Sequence, residues 1–401
     1  MTNSDMNLPS VPTRLLTTPE ELAELCQHIA AEGCFAFDTE FIGENSYRPV
    51  LCLVQVATRQ RVELLDPFAL KNLAPLWQLL ADPAVEKICH AGDQDLAIAY
   101  QASGLTPANV FDAQIGAGMI GLGYPLAYWR VVEVFGSVSL EKAHTYSAWD
   151  RRPLSRDQFA YAVDDVRYLP SVHAGLSAKL VELGHAGWMR DACAALCREA
   201  STPFDPRMVY ARLKGANQLE PAQLAILREV AALREQLAFE HNMTARQMLR
   251  DEVLLDLASR GPRRESELLA IRGMPREEVV TYGHEILAAI ECGRRIPPDQ
   301  RPVLAPPPDD DLETRRLAET LYAAAQTICL GRSLSPALVT SQAEVAAFAR
   351  LVTHGEPLAG HPLMNGWQRE ALGQPLADFV AGKVKLAVSL DGRAMRTQFG
   401  T

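Results

Sequence analysis

The sequence predicts a layered α/β domain followed by two small all-helical units. Three observations carry that expectation. Short apolar runs alternate with amphipathic stretches as far as Ala200, only helical periodicity recurs beyond Gln218, and a proline-rich stretch from Arg294 to Asp311 divides the helical part in two. A chain of 401 residues also exceeds the length at which one core usually keeps growing.

Glu20 to Glu32 places Leu22, Leu25, Cys26 and Ile29 at helical spacing, and Gly33 supplies a stop. Cys34 to Phe37 is a short apolar run leading into Asp38, the pattern of a buried central strand. Val50 to Ala57 and Arg61 to Leu65, with a turn at Thr58 to Gln60, extend it to a three-stranded meander. A helix at Leu73 to Leu80, a strand at Lys87 to His90, a helix at Gln94 to Ala102 and a strand at Val110 to Phe111 follow. Glu182 to Ala200 reads as the last helix of this domain, and Thr202 to Pro206 as its boundary. Gln218 to His241, Asp251 to Ser259, Ser266 to Ile271 and Glu277 to Cys292 form one helical unit. Leu312 to Cys329 and Ala343 to Leu351 begin another, and no strand is expected in it.

Hydrophobic residues make up 48% of the chain and charged residues 22%, the balance of a globular protein. A net charge of -10 excludes nucleic-acid binding by bulk charge, so any such site must be local. The eight cysteines lack the spacing of a disulfide framework or a zinc site and read as reduced, buried thiols. No leader pattern and no apolar run long enough to span a bilayer are present, so a cytoplasmic protein without a membrane is expected. No phosphate-loop motif occurs, which argues against ATP.

Asp38 and Glu40 lie two apart on a strand and therefore point the same way, where they repel unless a cation joins them. His90-Ala91-Gly92-Asp93-Gln94-Asp95-Leu96 ends a strand, turns, and opens a helix with acids that can serve as ligands, caps or partners of the helix dipole. Tyr161 and Asp165, four apart on a helix, share a face from which Asp164 points away.

In order and spacing, Asp38-Thr39-Glu40, Asp95 after His90-Ala91-Gly92, and Tyr161 with Asp165 resemble the three exonuclease motifs of the DEDD superfamily, tyrosine branch. Phe41, Phe111-Asp112-Ala113-Gln114, Ala148 to Ser155 and Tyr161 to Leu169 are similar to its ribonuclease D family in particular. Gln218 to about Arg295 resembles the HRDC domain, and Leu363 to Gln368 with Gly373 to Leu376 resembles that family's second copy of it. Asp93 and Asp164 are acids beyond the pattern; the family's aspartate precedes a leucine matched here by Leu96, which favours Asp95.

The resemblance implies an α/β ribonuclease-H-like exonuclease domain (1–210) followed by two small all-α HRDC-like domains, 211–296 and a diverged 312–401, joined by the Pro-rich linker 297–311. It implies a 3′-to-5′ exoribonuclease releasing nucleoside 5′-monophosphates from RNA with a 3′ single-stranded end, tRNA precursors and other small stable RNAs being the family's substrates. Asp38, Glu40, Asp95 and Asp165 are expected to hold two divalent metal ions, Mg2+ or Mn2+, and Tyr161 to orient the attacking water. Thr39, Phe41, His90, Arg151 and Arg152 are expected at the RNA, Phe41 stacking on a base and the arginines facing phosphates. The cluster Arg246, Arg250, Arg260, Arg263, Arg264, Arg272 and Arg276 is either a solvated surface or a phosphate-contacting face. A DNA 3′ exonuclease of the same fold and a non-catalytic RNA-binding adaptor are the competing readings.

Overall fold

The structure, a computed structural model, describes residues 13–43, 45–136, 138–140, 148–304, 309–391 and 394–400. The polar stretch through Pro12 and the run Pro306, Pro307, Pro308 lie outside these residues.

A six-stranded sheet organises the first part of the chain. Its strands are β1 (Arg14–Leu16), β2 (Cys34–Ile42), β3 (Val50–Ala57), β4 (Val62–Leu65), β5 (Glu86–Cys89) and β6 (Val110–Asp112), in the order β1-β4-β3-β2-β5-β6. β2 runs parallel to β5 with Cys34 opposite Glu86, β5 is parallel to β6, and β1 to β4, whereas β3 and β4 are antiparallel. β2 therefore sits where the meander gives way to parallel crossovers, and at such a switch point the carboxyl ends of the strands frame a crevice.

Strand alternation decides what enters that crevice. Phe35 and Phe37 of β2 join Val54, Val56 and Leu65 in a core closed by Leu22, Leu25 and Ile29 of α1 (Pro19–Glu32) and by Leu76 and Leu80 of α2 (Ala74–Ala81). Each such side chain contributes about 1.5–3 kcal/mol when buried, so this face of β2 is strongly specified. Asp38 and Glu40, at the opposite parity, are turned to the other face. Besides a single turn at Pro67–Leu70, the remaining helices of this part are α3 (Asp93–Ser103), α4 (Ala113–Met119), α5 (Tyr128–Gly136), α6 (Arg156–Arg167), α7 (Leu169–Leu183) and α8 (Ala186–Ala200).

Several boundaries differ from the sequence reading. β2 continues through Asp38 to Ile42, beyond its apolar run, as an interior strand between β3 and β5. β1, three residues long, is too short to show periodicity and forms only through its distant partner β4. The expected Glu182 to Ala200 helix is the end of α7 and all of α8, separated at Gly184 and His185. Beyond Leu312 the structure contains helices α12 (Leu312–Gly331), α13 (Gln342–Thr353) and α14 (Gln374–Val380), but also a hairpin of β7 (Lys385–Asp391) and β8 (Ala394–Gly400), where only helices were expected. Between them come α9 (Pro221–Glu240), α10 (Asp251–Arg260) and α11 (Arg276–Arg294).

The chain divides into two compact units, one of residues 1–41, 51–202 and 310–401, the other of 42–50 and 203–309. In the first, residues beyond 310 pack on the sheet domain: Ser335 donates its N–H to the Gly118 carbonyl at 2.8 Å and Trp188 Nε1 donates to Glu370 at 3.0 Å. The second is built on Leu224, Leu227, Val230, Leu254, Leu257, Ile286 and Ile290. The loop after β2 belongs to it, since Tyr47 donates its hydroxyl to Glu235 at 3.0 Å and Arg48 lies 3.7 Å over the Phe239 ring. Among the described residues no helix is long and apolar enough to cross a membrane.

At Gly293 the backbone of α11 comes close to that of α9, and an added Cβ would sit 2.5 Å from Ile226 Cα and 2.7 Å from the Ala225 carbonyl oxygen. Both are backbone atoms, so the helices must separate to admit it. Gly293→Ala is expected to destabilise the helical unit by about 1–3 kcal/mol in urea unfolding, while Gly360→Ala, which meets nothing within 4 Å, leaves the midpoint unchanged.

Candidate active site

Asp38 and Glu40 stand on β2 beyond the apolar run, and Asp165 reaches them from the last turn of α6, a helix started by the Ser155 and Gln158 capping box. All three are half-buried, and each offers an oxygen atom within 4.8 Å of those of the other two. Asp95 lies in the first turn of α3, is 7% exposed, and stands outside that tight group while adding to the negative charge felt by Asp38. Tyr161, one turn before Asp165 on α6, is hydrogen-bonded to the Asp165 carboxylate and lies 6.0 Å from the buried Trp149 ring.

Burial is the first cause of every shift in this cluster. It pushes the Asp38 carboxyl well above the usual range, reinforced by Asp95, Asp165 and Glu40. Glu40 is raised to about 8 by burial, then Asp165 and Asp95. Asp165 is raised to about 7 by burial against the pull of its Tyr161 hydrogen bond, and Asp95 to about 6 against that of Thr39. The Tyr161 phenol is held above its ordinary range by burial and by Asp165, so it stays a donor at neutral pH.

The residues expected at the RNA separate. Thr39 is 6% exposed and its hydroxyl donates to Asp95. Arg152, expected at phosphates, is engaged inside the fold: Nε and Nη2 donate to Asp66 at 2.7 and 2.9 Å, Nη2 to the Cys52 carbonyl at 2.6 Å, and Nη1 to the Trp149 carbonyl at 2.8 Å. Arg151 is exposed and Phe41 half-buried. The His90 ring lies 5.4 Å from that of Tyr128, with Nδ1 buried and unpartnered. Tyr128 is an addition: its hydroxyl donates to the Asp164 carbonyl at 3.1 Å beside Asp165, and no motif spacing marks it in the sequence. In the distant cluster, Arg264 pairs with Glu267 at 2.8 Å and Arg260 with Asp256 at 3.6 Å, favouring a solvated mixed surface at those positions.

Comparison with known proteins agrees with this geometry. Residues 13–181 match the 3′-5′ exonuclease family model and residues 223–290 the HRDC domain model. Ribonuclease D of Nitrobacter hamburgensis is 31% identical over 388 residues, 96% of this chain and 99% of that protein. The chain belongs to the ribonuclease D family. Ribonuclease D of Acidiphilium cryptum is 33% identical over 94% of the chain and 96% of its own length. The crystal structure of Escherichia coli RNase D superposes with a TM-score of 0.81 at 26% identity, covering 93% of this chain and 99% of that one.

Membership in the ribonuclease D family makes this a 3′-5′ exoribonuclease, and its carboxylate cluster fits a divalent metal. Clustered oxygen donors that resist ionising side by side are a hard donor set, relieved when a cation enters. A carboxyl whose folded pKa is raised binds its proton more tightly in the native state. The stability that these protonated carboxyls contribute without metal is therefore fully present below the ordinary carboxylate range near 4 and is lost as pH rises toward about 8, the value to which burial raises Glu40. In EDTA the thermal midpoint is expected to fall across that window, Mn2+ should restore it most at the alkaline end, and Asp38→Asn should flatten the profile; a midpoint independent of pH would contradict this.

Proposed function

We propose that this chain trims RNA from a single-stranded 3′ end, releasing nucleoside 5′-monophosphates, with 3′ extensions of tRNA precursors and other stable RNAs as substrates. The observation that carries the reading is the convergence of Asp38, Glu40 and Asp165, with Tyr161 bonded to Asp165, beside the central strand of the sheet. The similar Escherichia coli protein is described as an exoribonuclease involved in structured RNA processing, which supports RNA as the polymer.

In this reading Asp38, Glu40, Asp95 and Asp165 hold two divalent ions, Mg2+ or Mn2+ by the hardness of their oxygens. Such ions, when bound, lower the pKa of water and neutralise charge at phosphorus and at the departing 3′ oxygen. The chain's own contribution is placement. Tyr161, held protonated, orients the attacking water from beside Asp165. Thr39 steadies Asp95 through its hydroxyl. Phe41, next along β2 from Glu40, stacks on the terminal base without reading it, His90 borders the nucleotide, and exposed Arg151 meets phosphate. Arg152 acts behind Arg151, tying their loop to Asp66 at the end of β4.

We assign 1–210 to catalysis, 211–296 to gripping the RNA body, 297–311 to the linker and 312–401 to a diverged second helical module. Holding the body of a structured RNA raises the effective concentration of its 3′ tail.

The test uses 5′-labelled RNA with a single-stranded 3′ tail, in Mg2+, Mn2+ or EDTA, beside matched DNA. A metal-dependent ladder shortening from the 3′ end is expected, abolished in Asp38→Asn and lowered about 10²-fold or more in Tyr161→Phe, with metal binding preserved in the latter. Equal shortening of DNA would favour the DNA exonuclease, and RNA binding without cleavage the adaptor.

A further inference from the structure

Asp112 belongs to a sequence motif that the catalytic reading leaves without a task. It ends β6, is 2% exposed, and gathers contacts from two chain turns at once. Oδ1 accepts the Gln114 and Ile115 N–H groups at 2.8 and 3.1 Å, an ordinary N-cap for α4. Oδ2 accepts the Gly92 N–H at 2.9 Å and lies 3.6 Å from the Cys89 thiol. Its own N–H faces the buried Cys193 sulfur at 3.4 Å.

The second set of contacts is more than capping. Gly92 is the N-cap of α3, and Asp95 is the third residue of that helix. The turn from β5 into α3 takes a conformation the chain does not favour alone: Ala91 has φ +56°, in the left-handed region that favours glycine. A Cβ on Gly92 would lie 2.5 Å from Cys89 Sγ and 2.9 Å from Cys89 Cβ. A turn this crowded needs a hold from outside, and the Asp112 carboxylate supplies it at the N–H that begins the helix.

We propose that Asp112 is a positioning residue for metal binding: by clamping Gly92 it fixes the first turn of α3 and aims Asp95 at Thr39, Asp38 and Glu40. The proposal rests on the reading of Asp95 as a metal ligand. Asp112→Asn is the incisive variant, because it keeps the oxygen that caps α4 while the nitrogen it introduces sets a donor against the Gly92 N–H. Asp112→Ser, which can still cap α4 but is too short to reach Gly92, is the second.

The experiment measures Mn2+ binding by titration calorimetry on the full chain without RNA, beside Asp95→Asn, and then the KM for RNA and kcat at saturating metal. The expected result is Mn2+ affinity at least tenfold weaker in both Asp112 variants and in Asp95→Asn, with kcat reduced and KM for RNA little changed. A role confined to capping α4 would lower the melting temperature and leave Mn2+ affinity within twofold of the parent, which overturns the proposal. If Asp112→Asn does not fold, the same affinity criterion is read on Asp112→Ser. Weakened binding in Asp95→Asn with none in the Asp112 variants refutes the clamp alone; unchanged binding in all three refutes the Asp95 assignment and the clamp with it.

Discussion

Asp38, Glu40 and Asp165 hold oxygen atoms within 4.8 Å of one another in a half-buried pocket, and this crowding of like charge is the constraint around which the catalytic unit is organised. In water such repulsion is weak, but partial burial magnifies it and raises every carboxyl of the group. A scaffold that tolerates it must be rigid where the acids are rooted. β2 meets that need as an interior strand whose opposite face buries Phe35 and Phe37. α6 brings Asp165 in from a second element and α3 brings Asp95 from a third, so the acids stay together only while all three elements hold their places.

Much of this was legible in the sequence, for a physical reason. Asp38 and Glu40 follow an apolar run whose period places them on one face, and Tyr161 and Asp165 keep the helical interval that puts them side by side. Local periodicity encodes local direction, and the chemistry depends on direction. What stayed hidden depends on partners distant in the chain. β1 exists only because β4 pairs with it, and the Ile42 to Val50 loop belongs with residues far along the sequence through Tyr47 and Glu235. Along β7 the sequence does alternate, with Leu386, Val388 and Leu390 two apart, but one short alternation after long stretches of helical periodicity is a weak signal for a hairpin.

Arg152 shows how residue type can mislead. An Arg-Arg pair in a chain of net charge -10 reads naturally as a local landing place for phosphate. Yet a guanidinium also satisfies several buried acceptors at once, and Arg152 reaches Asp66, the Cys52 carbonyl and the Trp149 carbonyl together. Thr39 is a similar case, its hydroxyl turned to Asp95. Both serve the site by fixing what surrounds it, a use that sequence spacing does not separate from direct contact.

The compact unit that contains the carboxylates is discontinuous, since residues 310–401 return to pack on the sheet domain after 203–309 have formed a unit of their own. On a ribosome adding about 5–20 residues per second, the carboxylate strand and helices emerge well before the segment that receives Trp188 and the Gly118 carbonyl. Until translation reaches Ser335 and Glu370, that part of the surface has only water to bond. The nascent chain thus carries its carboxylate strand and helices uncovered until Ser335 and Glu370 have been made, and the compact catalytic unit closes only after the separate unit of 203–309 has emerged.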